Sequence, residues 1–97
     1  MPAVQFFIRW PDGKEDKCYS PSTVIREYFK PGDKMPLSEF VQRSEAGLTN
    51  ASERVAARYG YFCSSASDQL QLIRQQAESF DDKDRLVVIM SMRELTG

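Results

Sequence analysis

The chain has 97 residues, 41% of them hydrophobic and 28% charged, with 13 Lys and Arg against 14 Asp and Glu. That is the composition of one globular domain over residues 1–97, and a net charge of −1 offers no basic field to nucleic acid or anionic lipid. The chain lacks histidine, which removes the usual general base near neutral pH and excludes Ser-His and Cys-His nucleophile pairs within it. Only carboxylates could complete a zinc site begun by its two cysteines.

Val4, Phe6, Ile8 and Trp10 alternate at period two and predict a first strand over Ala3 to Trp10. Trp10-Pro11-Asp12-Gly13 is a turn sequence, with proline presetting φ and glycine supplying a positive φ. Lys14 to Tyr19 then returns as a short charged strand suited to a sheet edge. Ser20 and Pro21 read as N-cap and first residue of a short helix over Ser22 to Phe29. Lys30-Pro31-Gly32-Asp33 breaks it, and Met35-Pro36-Leu37 leads into the longest element.

That element is predicted as a helix from an N-cap at Ser38 to about Tyr59. Leu37, Phe40, Val41, Ser44, Leu48, Ala51, Val55 and Tyr59 form an apolar stripe, and Gly60 follows as the C′ residue. Gly47 inside it marks a close crossing, since a mid-helix glycine costs about 1 kcal/mol relative to alanine. Ser65 with Asp68 fits a capping box for a third helix, with Ser64 as the rival cap, and Ala66, Leu70, Ile73, Ala77 and Phe80 share its inner face. Leu86 to Met92 is an apolar strand without clean alternation, which predicts burial on both faces, and Arg93 to Gly97 is predicted to fray.

The expected architecture is therefore α+β in the order β-β-α-α-α-β. It has a three-stranded sheet, with the first strand central and the last beside it, and two main helices packed on one face.

The two cysteines each precede a serine cluster at a predicted helix start: Cys18 with Ser20 and Ser22, and Cys63 with Ser64 and Ser65. A thiol beside a helix N-terminus can have a depressed pKa, and two adjacent N-termini can hold an anion, so these six residues are the candidate ligand or thiol site. The plainer reading is that the thiols are small buried hydrophobes and the serines are caps. Arg9, Arg54, Arg58 and Arg74 could clamp a carboxylate or phosphate if they converge, although helix arginines are usually a solvated face. Trp10 reads as a core or sheet-edge anchor rather than a stacking platform.

Arg9-Trp10-Pro11-Asp12-Gly13, Cys18-Tyr19-Ser20-Pro21-Ser22-Thr23-Val24, Ala51-Ser52-Glu53-Arg54-Val55 and Tyr59-Gly60-Tyr61-Phe62-Cys63-Ser64 together resemble the small bacterial nitrogen-starvation response proteins, which are encoded in gene clusters with a nitrilase and other enzymes. The resemblance runs from about Val4 to Val88. It implies a bacterial cytoplasmic protein connected with nitrogen limitation, and it supplies no reaction, cofactor or catalytic residue.

No secretory signal precedes the first strand, and no apolar run reaches the ~20 residues of a membrane span, so a cytoplasmic location with reduced thiols is expected. No catalytic, cofactor-binding or metal-ligating set is assigned. The leading expectation is a non-enzymatic protein of the nitrogen-starvation response that acts through a protein partner or homo-oligomer, without nucleic acid or membrane, with the second or last strand as the seam. The alternatives are a small-molecule or anion sensor at the helix starts after Cys18 and Cys63, and a thiol-dependent enzyme subunit.

Overall fold

The computed structural model describes residues 3–60 and 64–95. Four strands, β1 (Ala3–Arg9), β2 (Glu15–Ser20), β3 (Lys34–Pro36) and β4 (Leu86–Leu95), form one antiparallel sheet in the order β2-β1-β4-β3. Two helices, α1 (Leu37–Tyr59) and α2 (Ser64–Glu78), complete it. The α+β class and the central first strand agree with the expectation. The strand count and the helix count differ from it.

The β1–β2 hairpin closes as its sequence dictates. The Trp10 amide donates to the Lys14 carbonyl at 2.7 Å and the Gly13 amide to the Trp10 carbonyl at 2.9 Å, with Gly13 at φ +92°. A left-handed glycine that closes a three-residue loop with a bulge matches the right-handed twist of the strands it joins. Val4, Phe6 and Ile8 are fully buried on one face, beside Cys18 of β2 and Val87 and Ile89 of β4. Leu37, Phe40 and Leu48 of α1 and Ile73 and Ala77 of α2 join the same core.

The first predicted helix, over Ser22 to Phe29, is instead a five-residue 3-10 turn, Thr23–Glu27. Its cap is Ser22, whose Oγ accepts from the Val24 amide at 3.3 Å, and not Ser20. The segment is too short to carry an α-helix between the buried Val24 and Ile25 and the break at Lys30-Pro31.

Met35, read as a lead-in, is the middle of edge strand β3. The chain is drawn there by pairing with β4, with the Gly32 amide donating to the Ile89 carbonyl at 2.7 Å and the Ile89 amide to the Asp33 carbonyl at 2.8 Å. Met35 stands opposite Val87, so the alternation of antiparallel hydrogen bonds puts the N–H-less nitrogen of Pro36 on the outer side of the sheet. A strand tolerates proline there.

Helix α1 starts at Leu37, not after a Ser38 cap. Its N-cap is Pro36, without a side-chain hydrogen bond, and the carbonyls of Arg85 and Lys83 accept from the Leu37 and Ser38 amides at 2.8 and 3.1 Å. Tertiary structure thus satisfies the donors that a cap would satisfy. Gly60 closes the helix at φ +77°. Both Ser64 and Ser65 fall within the first turn of α2, and the residue that would cap it lies outside the described residues.

Strand β4 is not buried on both faces: Val87 and Ile89 are fully covered, whereas Leu86 is 51% exposed. Its register shifts between Phe7 and Ile8 of β1, leaving Met90 as the extra residue of a bulge. Beyond the bulge the strand pairs on to Leu95 opposite Ala3, so Arg93 to Leu95 is ordered sheet and not a frayed tail.

Candidate functional site

The hairpin register decides which way each backbone group of β2 points. The Trp10 amide bonds the Lys14 carbonyl, and pairing continues as Ile8 with Asp16, Phe6 with Cys18 and Val4 with Ser20. In an antiparallel ladder these alternate residues turn their N–H and C=O toward the neighbour, so Glu15, Lys17 and Tyr19 turn theirs outward. The Tyr19 amide confirms the alternation: it donates away from the sheet, to Oε1 of Gln69 on α2, at 3.0 Å.

That hydrogen bond seals one end of the outer edge of β2. The outward groups of Glu15 and Lys17 have no hydrogen-bond partner among the described residues.

Between this edge and α2 lies a cleft of about 210 Å³, lined by Asp16, Lys17, Gln69, Leu72 and Gln76 over a floor of Trp10, Cys18 and Ile73. Leu72 is 60% exposed at its rim. The Trp10 indole donates Nε1–H to Asp16 Oδ2 at 2.6 Å, so the carboxylate is tied to the core's only tryptophan. Trp10 in turn meets Phe40 edge-on at 5.6 Å and stacks on Phe80 at 6.0 Å between centroids. It is a core anchor, as its sequence position indicated, and it fixes the floor of the cleft.

The six candidate residues divide between two places and one blank. Cys18 is buried under β2. Burial first, and the negative charge of Asp16 second, push its thiol up to about 12. At neutral pH it is a thiol rather than a thiolate, and only the thiolate is a nucleophile or metal ligand.

Ser20 Oγ donates to the Ser22 carbonyl at 2.8 Å and accepts from the Ser22 amide at 3.3 Å, and Ser22 caps the 3-10 turn. Both hydroxyls are engaged with local backbone. Ser64 and Ser65 open α2, on the element that carries Gln69, so the end of β2 and the first turns of α2 are neighbours. Cys63 lies outside the described residues.

The arginines do not converge. Arg9 pairs with Glu15 at 3.3 Å and Arg74 with Glu45 at 2.8 Å, both on the surface, while Arg58 lies over the Tyr59 ring. Among the described residues no three His, Cys, Asp or Glu side chains come together as a metal site, and no helix is long and apolar enough to cross a membrane.

Sequence reasoning missed Gln69 and Leu72. Neither carries a motif, and their role depends on which edge of the sheet α2 lies against, which only the tertiary structure fixes.

Neither a curated protein nor a solved structure matches the chain. The family model for the nitrogen starvation-induced protein NitG matches residues 5–92, which takes in β2, β3, both helices, all but the first two residues of β1 and all but the last three residues of β4. The chain belongs to the NitG family of nitrogen starvation-induced proteins.

Proposed function

We propose that this protein serves the nitrogen-starvation response, in the cytoplasm, as a non-enzymatic association module that pairs through the outer edge of β2. The observation that carries the reading is the outward N–H and C=O of Glu15 and Lys17, flanked by the cleft against α2. An edge of this kind offers directional hydrogen bonds to an added strand, while the cleft receives side chains.

The reading is also supported by what the candidate thiol site provides. Cys18 is held protonated, Ser20 Oγ is bonded to the Ser22 backbone and Ser22 Oγ caps the 3-10 turn, so neither a thiol-dependent enzyme nor an anion sensor gains a reactive or open group from them.

The test is sedimentation of the purified chain from about 10 μM to 1 mM, alongside capture from nitrogen-starved cells. Lys17→Pro deletes one outward N–H without touching the β1–β2 ladder. Association that weakens in Lys17→Pro at an unchanged melting temperature supports the proposal. A wild-type chain that stays monomeric throughout and retains no partner overturns it.

A further inference from the structure

We infer that the strand added to β2 is β2 of a second copy, paired antiparallel about a two-fold axis at Asp16. This rests on the reading of β2 as an association edge and names its partner and register. Only residues with outward backbone groups can form hydrogen-bonded pairs across the new seam, which restricts the pairing to combinations of Glu15, Lys17 and Tyr19. Tyr19 already spends its amide on Gln69.

Centring the axis on Glu15 would oppose two glutamates, and centring it on Lys17 would oppose two lysines. Either is a like-charge pair in direct cross-strand contact, which destabilises a sheet. Centring it on Asp16 opposes Glu15 with Lys17 of the second copy, and Lys17 with its Glu15. Both pairs are complementary, the Tyr19–Gln69 bond is untouched, and about four backbone hydrogen bonds form.

The open face of the sheet carries the charge pattern through that seam. Glu15 already pairs with Arg9 on its inner side at 3.3 Å, so Lys17 of the second copy would flank it on the outer side, giving the sign order plus, minus, plus. Lys17 lies opposite Phe7 and has no ion pair among the described residues, so its charge is available.

One feature opposes the arrangement: the two Asp16 residues face each other at the axis. Each carboxylate is hydrogen-bonded to its own Trp10 indole at 2.6 Å on the core side. On that side the exposed Leu72 of each α2 would flank the seam. An interface this small makes a weak dimer, with a dissociation constant on the order of 100 μM.

The test uses charge reversal and mixing in the full chain, read by sedimentation equilibrium. E15K opposes lysine to lysine and K17E opposes glutamate to glutamate, so each alone should weaken the dimer about tenfold or more. An equimolar mixture of the two restores both complementary pairs and should return a dimer of wild-type strength. D16N keeps an acceptor for Trp10 while removing the like-charge contact, and should tighten the dimer about twofold or more.

Reversals that leave the dimer unchanged, or a mixture that stays monomeric, overturn this register while leaving self-association through another surface intact. A D16N dimer that is unchanged or weaker moves the axis off Asp16 and also overturns it. A wild-type chain that remains monomeric at about 1 mM removes both the register and the self-association it rests on.

Discussion

Ser44 stands in the core stripe of α1, fully buried, with its hydroxyl bonded to nothing among the described residues. A buried hydroxyl without a partner keeps its desolvation cost and gains nothing in return, about 1–3 kcal/mol. Ser44→Ala removes that cost and improves helix propensity. It should stabilise the chain by about 1 kcal/mol, seen in thermal unfolding as a rise of roughly 4–8 °C.

Gly47 has the opposite character. A Cβ there would lie 2.6 Å from Cδ1 of the fully buried Ile25 and 3.1 Å from the Tyr28 ring. Gly47→Ala normally gains about 1 kcal/mol in a helix, but overpacking against the buried Ile25 and the Tyr28 ring together costs about 1–3 kcal/mol. Denaturant titration should therefore show a net loss of about 1 kcal/mol.

Cys18 makes a third case at this scale. Its thiol ionises near 9.0 in the unfolded chain and at about 12 in the fold. The raised value means that the unfolded state loses its proton first. The stabilisation from keeping the thiol neutral is complete below pH 9 and is lost between pH 9 and 12. In a Cys63→Ser background, native Cys18 should resist a thiol-specific reagent at pH 8 until the protein unfolds. Rapid labelling of the native state would show an accessible thiolate instead.

Among the elements, those that announced themselves in sequence are the ones whose signal is local. The alternation Val4, Phe6, Ile8, Trp10 marks a strand with one buried face, and α1 runs from Leu37 to Tyr59 almost as its stripe dictates, with Gly60 ending it at positive φ and Gly47 marking a close contact. What stayed illegible depends on non-local pairing. Three residues centred on Met35 carry no periodicity, and they become a strand because β4 offers Leu86, Val87 and Val88 opposite them.

The apolar run of β4 read as doubly buried because Leu86 and Met90 are hydrophobic. One faces away from the helices and the other is the bulge residue. Leu86→Thr tests this element directly. On a half-exposed outer face the change should fall within about 0.5 kcal/mol by chemical denaturation, whereas a strand buried on both faces would lose about 2–5 kcal/mol. The candidate site was legible to the same degree. Cys18, Ser20 and Ser22 do lie at the end of a strand and the start of a turn, but the partners of the two hydroxyls and the protonated thiol depend on burial and local folding that no spacing encodes.

At the scale of the molecule, the helices cover one face of the sheet and leave the outer edge of β2 as backbone without a complete neighbour. The core beneath that edge is packed with aromatic rings. A chain of rings runs from Phe6 through Phe29, Phe40 and Trp10 to Phe80, with successive centroids 5.4–6.0 Å apart, and Arg85 lies over its outer end at 5.9 Å. The edge is thus presented on a fixed support, and one of its three outward amides is already satisfied internally by Gln69. Natural edges are blunted with charge to prevent indiscriminate pairing. Here the charges of Glu15 and Lys17 are of opposite sign and spaced to match a copy of themselves.

Residue-resolved amide hydrogen exchange as a function of protein concentration reads that edge directly. If β2 pairs with a partner strand, the Glu15 and Lys17 amides exchange more slowly as concentration rises, while the Tyr19 amide, held by Gln69, is protected at every concentration. Glu15 and Lys17 exchange rates that do not change from about 10 μM to 1 mM would contradict the account.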